Sequence, residues 1–176
     1  MPTPADETTA PALTLAGASF KGTVKEYFPY WDSYFRPYLL DAVELLPAEH
    51  FDWKPRPEML TARQVILHIA EVERWWVHHT WEKEPYEDWV VKADVGWKTV
   101  YDAPDHNSLY FVLEEYHRHT QRIFGLPASE LEKKTTRDGK EYSLHWILAH
   151  TEEHEIHHRA QLNMYLRMLG ITPPSV

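Results

Sequence analysis

At 176 residues, with 43% hydrophobic side chains, eight Trp, ten Tyr and six Phe, the chain suits one well-buried globular core and is too short for two ordinary domains. A formal charge of -9 and a pI near 5.7 argue against non-specific nucleic-acid binding and against anionic membrane surfaces. The absence of cysteine excludes disulfides, thiolate metal ligands and a cysteine nucleophile, so any thiol chemistry must bring its thiol from outside.

Residues 1–20, MPTPADETTAPALTLAGASF, contain no Lys or Arg and no long apolar stretch. They lack the features of a signal peptide and are expected to form a disordered tail, ahead of a single domain over 21–176 in a cytoplasmic protein. No apolar run approaches the roughly 18 residues of a transmembrane helix.

Four helices are predicted. The first covers about Tyr30 to Leu46, with Tyr34, Tyr38, Ala42 and Leu45 on a rough helical stripe, and Pro37 must open or kink it. Residues 47–57 (PAEHFDWKPRP) connect it to a second helix. That helix opens on Thr61-Ala-Arg-Gln64, the pattern of a capping box, and Val65, His68, Glu71, Val72, Trp75 and His79 share one of its faces. A connector from about Glu82 to Asn107, rich in acids and aromatics, is long enough to cross a bundle and leave the second and third helices parallel. The third helix is expected from Ser108 to Phe124, closed by Gly125. Asp138-Gly139 marks a turn. Ser143 caps the fourth helix, which continues to Leu169 and is stopped by Gly170 and Pro173-Pro174. No segment shows strand alternation, so the reading is an all-α four-helix bundle.

The fourth helix carries the chemistry. Five of the twelve histidines fall between His145 and His158. At about 100° per residue, His154 and His158 lie within about 40° of each other, with His150 and Gln161 on the same side. Two imidazoles one turn apart form a bidentate platform for a transition metal. His68 is the best third donor: it sits among Ile66, Leu67, Ile69 and Ala70, where a lone imidazole is costly without a partner. His150 and His157 flank the stripe, as hydrogen-bonding neighbours of a ligand or as solvent-exposed side chains. Gln161 would hold a water or substrate, or else make an ordinary interhelical hydrogen bond. Glu71 is a general base or water-orienting group, or else a surface carboxylate. Trp75 lines the pocket or belongs to the core.

The segment Thr61-Ala-Arg-Gln-Val-Ile-Leu-His68-Ile-Ala-Glu71, together with His154-Glu-Ile-His-His158-Arg159-Ala160-Gln161, resembles the DinB/YfiT-like superfamily. Its members carry a histidine in an L-x-H-(I/L)-A context, then H-x-x-x-H-R-(G/A)-Q on the last helix, and residues 46–57 resemble the connector before their second helix. Two departures are small: leucine directly precedes His68, and Ala160 stands where glycine is common. The resemblance spans roughly residues 30 to 170. It implies a DinB-type four-helix bundle in which His68, His154 and His158 ligate one divalent metal (Zn, Ni, Mn or Fe). It also implies a small-molecule substrate, a homodimer, and a hydrolase or a transferase of low-molecular-weight thiols such as bacillithiol or mycothiol.

Three rival readings follow from the same residues. His154-Glu155-Ile156-His157-His158 matches the zincin pattern H-E-x-x-H, but no His, Asp or Glu follows His158 to complete such a site, which leaves Glu155 as a candidate base only. Glu114-x-x-His117 and Glu155-x-x-His158, with Glu44 and Glu71, would suit a carboxylate-bridged di-iron bundle, at the cost of leaving His68 and His154 unexplained. The third alternative is a bundle with a structural metal or none, serving partner binding.

Overall fold

The computed structural model describes residues 19–85, 90–92, 97–99 and 103–175. A 3-10 turn, Val24–Tyr27, leads into wide π-helical turns at Trp31–Phe35, which pass without a break into helix α1, Arg36–Glu44. Pro37 lies in the first turn of α1, and because it has no N–H it leaves the π-helical turn before it one donor short. The proline thus opens the regular part of the predicted first helix, and the turns before it are widened, with the Arg36 N–H reaching back to the Trp31 carbonyl.

Helix α2, Ala62–Glu73, starts at the predicted capping box: the Gln64 amide donates to Thr61 Oγ1 at 3.2 Å and the Thr61 amide to Gln64 Oε1 at 2.8 Å. The helix continues through π-helical turns at Arg74–Trp81. Those turns change which side chains face inward. Regular spacing from His68 and Trp75 points to His79, whereas the wider turns bury His78 at 2% exposure. Helix α3, His106–Phe124, begins two residues before the predicted Ser108, because Asp105 is the cap and accepts from the Ser108 amide at 2.8 Å. Helix α4, Leu144–Met168, is capped by Ser143, and Gly170 turns left-handed (φ 78°) to end it.

The strictly all-α expectation is corrected by two antiparallel hairpins. Strands β1 (Val90–Lys92) and β2 (Trp97–Thr99) pair within the connector, and β3 (Lys134–Arg137) pairs with β4 (Lys140–Ser143) just before α4. Asp138 and Gly139, with φ of 51° and 76°, make the turn between β3 and β4, with positive φ at both central positions as a tight hairpin turn demands. Strands of three or four residues are too short to display alternation in sequence.

Contacts along the helices give their directions. Arg63, at the start of α2, reaches the Ala103 carbonyl ahead of α3, while Glu73 meets His117 and Thr120 far along it, so α2 and α3 run parallel. Tyr165, late in α4, donates to the Leu60 carbonyl before α2, while Trp76 meets Trp146, so α2 and α4 are antiparallel. Two apolar clusters form the core. One gathers Leu39, Val65, Leu67, Leu113, Leu162 and Leu166; the other gathers Trp31, Val77, Phe124, Leu131, Leu144 and Ile147. No helix among the described residues is long and apolar enough to cross a membrane.

Candidate metal centre

Because α2 and α4 run antiparallel, one inward residue of α2 faces two successive turns of α4. His68 lies 4.8 Å from His154 and 4.9 Å from His158 between ring centroids, and the two α4 rings are 4.3 Å apart. One potential ligand atom from each lies within 4.8 Å of the others. All three side chains are half-buried, so the cluster has a packed side and an open one.

The environment keeps His154 and His158 neutral. Burial, then the neighbouring His158 and His68, pushes His154 down to about 2. Burial likewise takes His158 down to about 4, against an opposing hydrogen bond from Gln161. Neutral imidazole is the ligating form. His154 Nδ1 is buried without a hydrogen-bond partner among the described residues, an uncompensated polar atom of the kind that coordination or ordered water satisfies. The residues therefore fit a metal ion.

A relay orients His158. The Tyr165 hydroxyl donates to the Leu60 carbonyl at 3.0 Å, and Gln161 Nε2 donates to that hydroxyl at 3.1 Å. Gln161 Oε1 is thereby left to accept from His158 Nδ1 at 2.8 Å, and the lone pair is assigned to Nε2. The hydrogen bonds of Gln161 to His158 and Tyr165 both lie within α4 and are not interhelical. Replacing Gln161 by leucine is expected to weaken metal binding about 10- to 100-fold while helicity is retained, read by competition with a chromophoric chelator.

The other candidate residues separate by position. Glu71, 8% exposed, places Oε2 at 3.5 Å from His68 Nδ1. His150 stacks on Trp146 at 4.8 Å and meets the edge of Trp76 at 5.5 Å, forming an aromatic wall that reaches within 6.3 Å of His154. His157 lies edge-on to His158 at 4.8 Å. Trp75 is held under Arg137 of β3 at 4.0 Å and beside His79.

Glu155 belongs to a second, largely buried polar layer. Its Oε2 accepts from Trp31 Nε1 at 2.8 Å and pairs with Arg36 Nη2 at 2.7 Å. The same Arg36 nitrogen meets Glu73 at 2.7 Å, and His117 bridges Glu73 and Asp32 at 2.8 Å each. Both His117 nitrogens thus face carboxylate acceptors. Burial and Arg36 oppose its protonation, yet Glu73 and Asp32 prevail and raise its pKa. The di-iron set is divided by this layer: Glu155 and His117 lie in it, His158 lies in the triad, and Glu44 accepts a hydrogen bond from Tyr110 at 2.5 Å. Sequence reasoning missed Arg36, Glu73 and the Trp76–Trp146 wall. Only the wall had a readable signal, since Trp146, His150, His154 and His158 recur every four residues.

The fold and site define a four-helix bundle with three histidines converging from two helices. The DinB family model matches residues 20–176, and the chain belongs to the DinB family. Two solved structures are similar in fold. A DinB-like protein from Bacillus subtilis is 19% identical, with a TM-score of 0.63, covering 86% of this chain and 96% of that one. A DinB-like protein from Bacillus cereus is 18% identical with the same TM-score of 0.63, covering 88% and 97%. A comparison with curated proteins finds no match.

Proposed function

We propose that this DinB-family protein is a metal-dependent enzyme that uses His68, His154 and His158 to hold one divalent transition ion, Zn, Ni, Mn or Fe. The observation that carries the reading is the convergence of three imidazoles with no fourth His, Asp or Glu ligand in their cluster among the described residues. A structural zinc is ordinarily closed by four protein ligands, whereas a catalytic one keeps a position open. When bound, such an ion supplies the Lewis acidity that lowers the pKa of a water or thiol ligand.

The chain's own groups complete the site. Glu71, beside His68, accepts the proton released from the nucleophile. Gln161 holds the His158 ring in register through its hydrogen bond to Nδ1. The Trp76–Trp146–His150 wall shields one side of the cluster from water and offers a flat apolar surface to a small substrate. Without cysteine of its own, the chain takes any thiol nucleophile as a cosubstrate.

The test supplies bacillithiol, mycothiol, glutathione or cysteine in turn, with a haloarene as electrophile, to metal-loaded protein. Metal-dependent consumption of the electrophile with one of these thiols, abolished by chelation, is the expected result. Absence of turnover with all of them excludes thiol transfer and leaves hydrolysis or metal binding without catalysis.

A further inference from the structure

Beyond the three-histidine centre, the described residues hold one other cluster with ligand atoms this close: His78, Glu82, Glu84 and His119, all within 4.8 Å of one another. It lies at the far end of the long second helix, ten residues past His68, against α3. We propose that these four side chains form a second divalent-cation site, which takes a first-row transition ion of the zinc type and clamps the 82–84 segment to α3.

The tautomer of His78 points to a cation. Its Nε2 lies 3.1 Å from the Tyr116 carbonyl, which can only accept, so Nε2 carries a proton, and in the neutral ring Nδ1 carries the lone pair. That Nδ1 faces Glu84 Oε2 at 3.4 Å. A neutral Nδ1 and a carboxylate oxygen turned toward each other repel unless a positive charge, a proton or a metal ion, lies between them. His119 stacks on His78 with centroids 3.8 Å apart and rings inclined by 30°. Its Nδ1 lies 2.9 Å from Glu82 Oε2 and 3.8 Å from Glu84 Oε1. Two imidazole nitrogens and two carboxylates thus converge, a donor set of borderline hardness that suits zinc and its neighbours.

The backbone is arranged to bring the acids there. Lys83 adopts a left-handed conformation, φ 64°, which L-residues other than Asn and Asp enter rarely. The turn folds Glu84 back on the helix: its amide donates to the His78 carbonyl at 3.0 Å, and its own carbonyl accepts from His79 Nδ1 at 2.6 Å. The Lys83 ammonium, the nearest cation in sequence, is committed to the Thr80 carbonyl and to Thr135. Among the described residues, the ion pairs of Glu82 and Glu84 are all with imidazoles. Side-chain exposure rises from 3% at His78 through 19% at His119 and 26% at Glu82 to 47% at Glu84, which gives a buried floor and an open rim for entry. The donor set is closed by four protein ligands, as in a structural site, in contrast to the open triad.

The test is zinc binding to the full chain, with zinc alone as the probe and stoichiometry read by elemental analysis after gel filtration. The wild type is expected to hold about two equivalents, and His154→Ala about one, supplied by the second site. In the His154→Ala background, His119→Ala is expected to remove that remaining equivalent. If His119→Ala fails to fold by circular dichroism, the rim pair Glu82→Gln and Glu84→Gln replaces it and should give the same loss. A His154→Ala chain that binds no zinc overturns the proposal, as does zinc there that survives the second-site substitutions. His119→Ala alone reports on the triad: a full equivalent retained supports it, and none retained sinks the three-histidine reading without touching this one.

Discussion

Replacing His154 by alanine is expected to remove the metal ion held with His68 and His158 while leaving the helical content unchanged. The His154 ring lies 4.3 Å from that of His158 and 4.8 Å from that of His68. Its Nδ1 is the ring nitrogen of the triad that is buried without a partner among the described residues. Loss of a ligand should weaken binding by more than the about 100-fold upper range for loss of a group that merely orients one. The fold should survive because both apolar clusters close without the ion, unlike zinc-dependent mini-domains that unfold on chelation. Two measurements on tag-free protein decide the matter: metal content by elemental analysis and helicity by circular dichroism. A variant that keeps the wild-type metal content and affinity would remove the three-histidine centre from consideration.

Arg36→Met is expected to destabilise the protein by about 3–5 kcal/mol, the cost of breaking a buried ion pair from one side. Arg36 is 3% exposed and pairs with Glu73 and Glu155 at 2.7 Å each, so its removal strands two carboxylates in the interior. Methionine fills the volume, so the loss reports charge rather than a cavity. Urea denaturation gives the magnitude, and its pH dependence gives the cause. Burial alone would raise Glu73, but Arg36 and then His117 hold it down to about 2, from an ordinary value of 4.5. A carboxyl with a depressed folded-state pKa stabilises above its unfolded pKa, and that contribution is lost as the pH falls toward the folded value. The gap between wild type and Arg36→Met should therefore narrow progressively as the pH falls toward about 2, where Glu73 takes up its proton in the wild type as well. A cost below about 1 kcal/mol, with no such narrowing, would mean that the layer behaves like a solvent-screened surface pair.

The parts of this fold that are legible in sequence are those encoded within one helix. Thr61 with Gln64, and Ser143 ahead of a 25-residue helix, announce their caps through contacts three residues apart. His154 and His158 announce a platform by their spacing, and His68 stands out because an imidazole among Ile66, Leu67 and Ile69 needs a partner. What stays hidden depends on distant chain segments or on departures from regular geometry. Arg36, Glu73 and Glu155 look like scattered charges until three helices bring them together across separations of 37 residues and more. The burial of His78 follows from widened turns that no residue pattern marks, and the second cluster was missed for that reason. The β3–β4 hairpin showed only its Asp138-Gly139 turn, since four-residue strands carry too little pattern.

Two consecutive residues of α4 belong to different machinery: His154 faces the triad, and Glu155 grips Arg36 and Trp31. A slip of one residue turns a helix by about 100°, so it would misplace both at once. The ion pair therefore acts as an angular key, fixing the rotation of α4 whether or not the ion is present. Substitution has room at the aromatic wall and the hairpins, whereas an insertion or deletion between His154 and His158 cannot be absorbed locally.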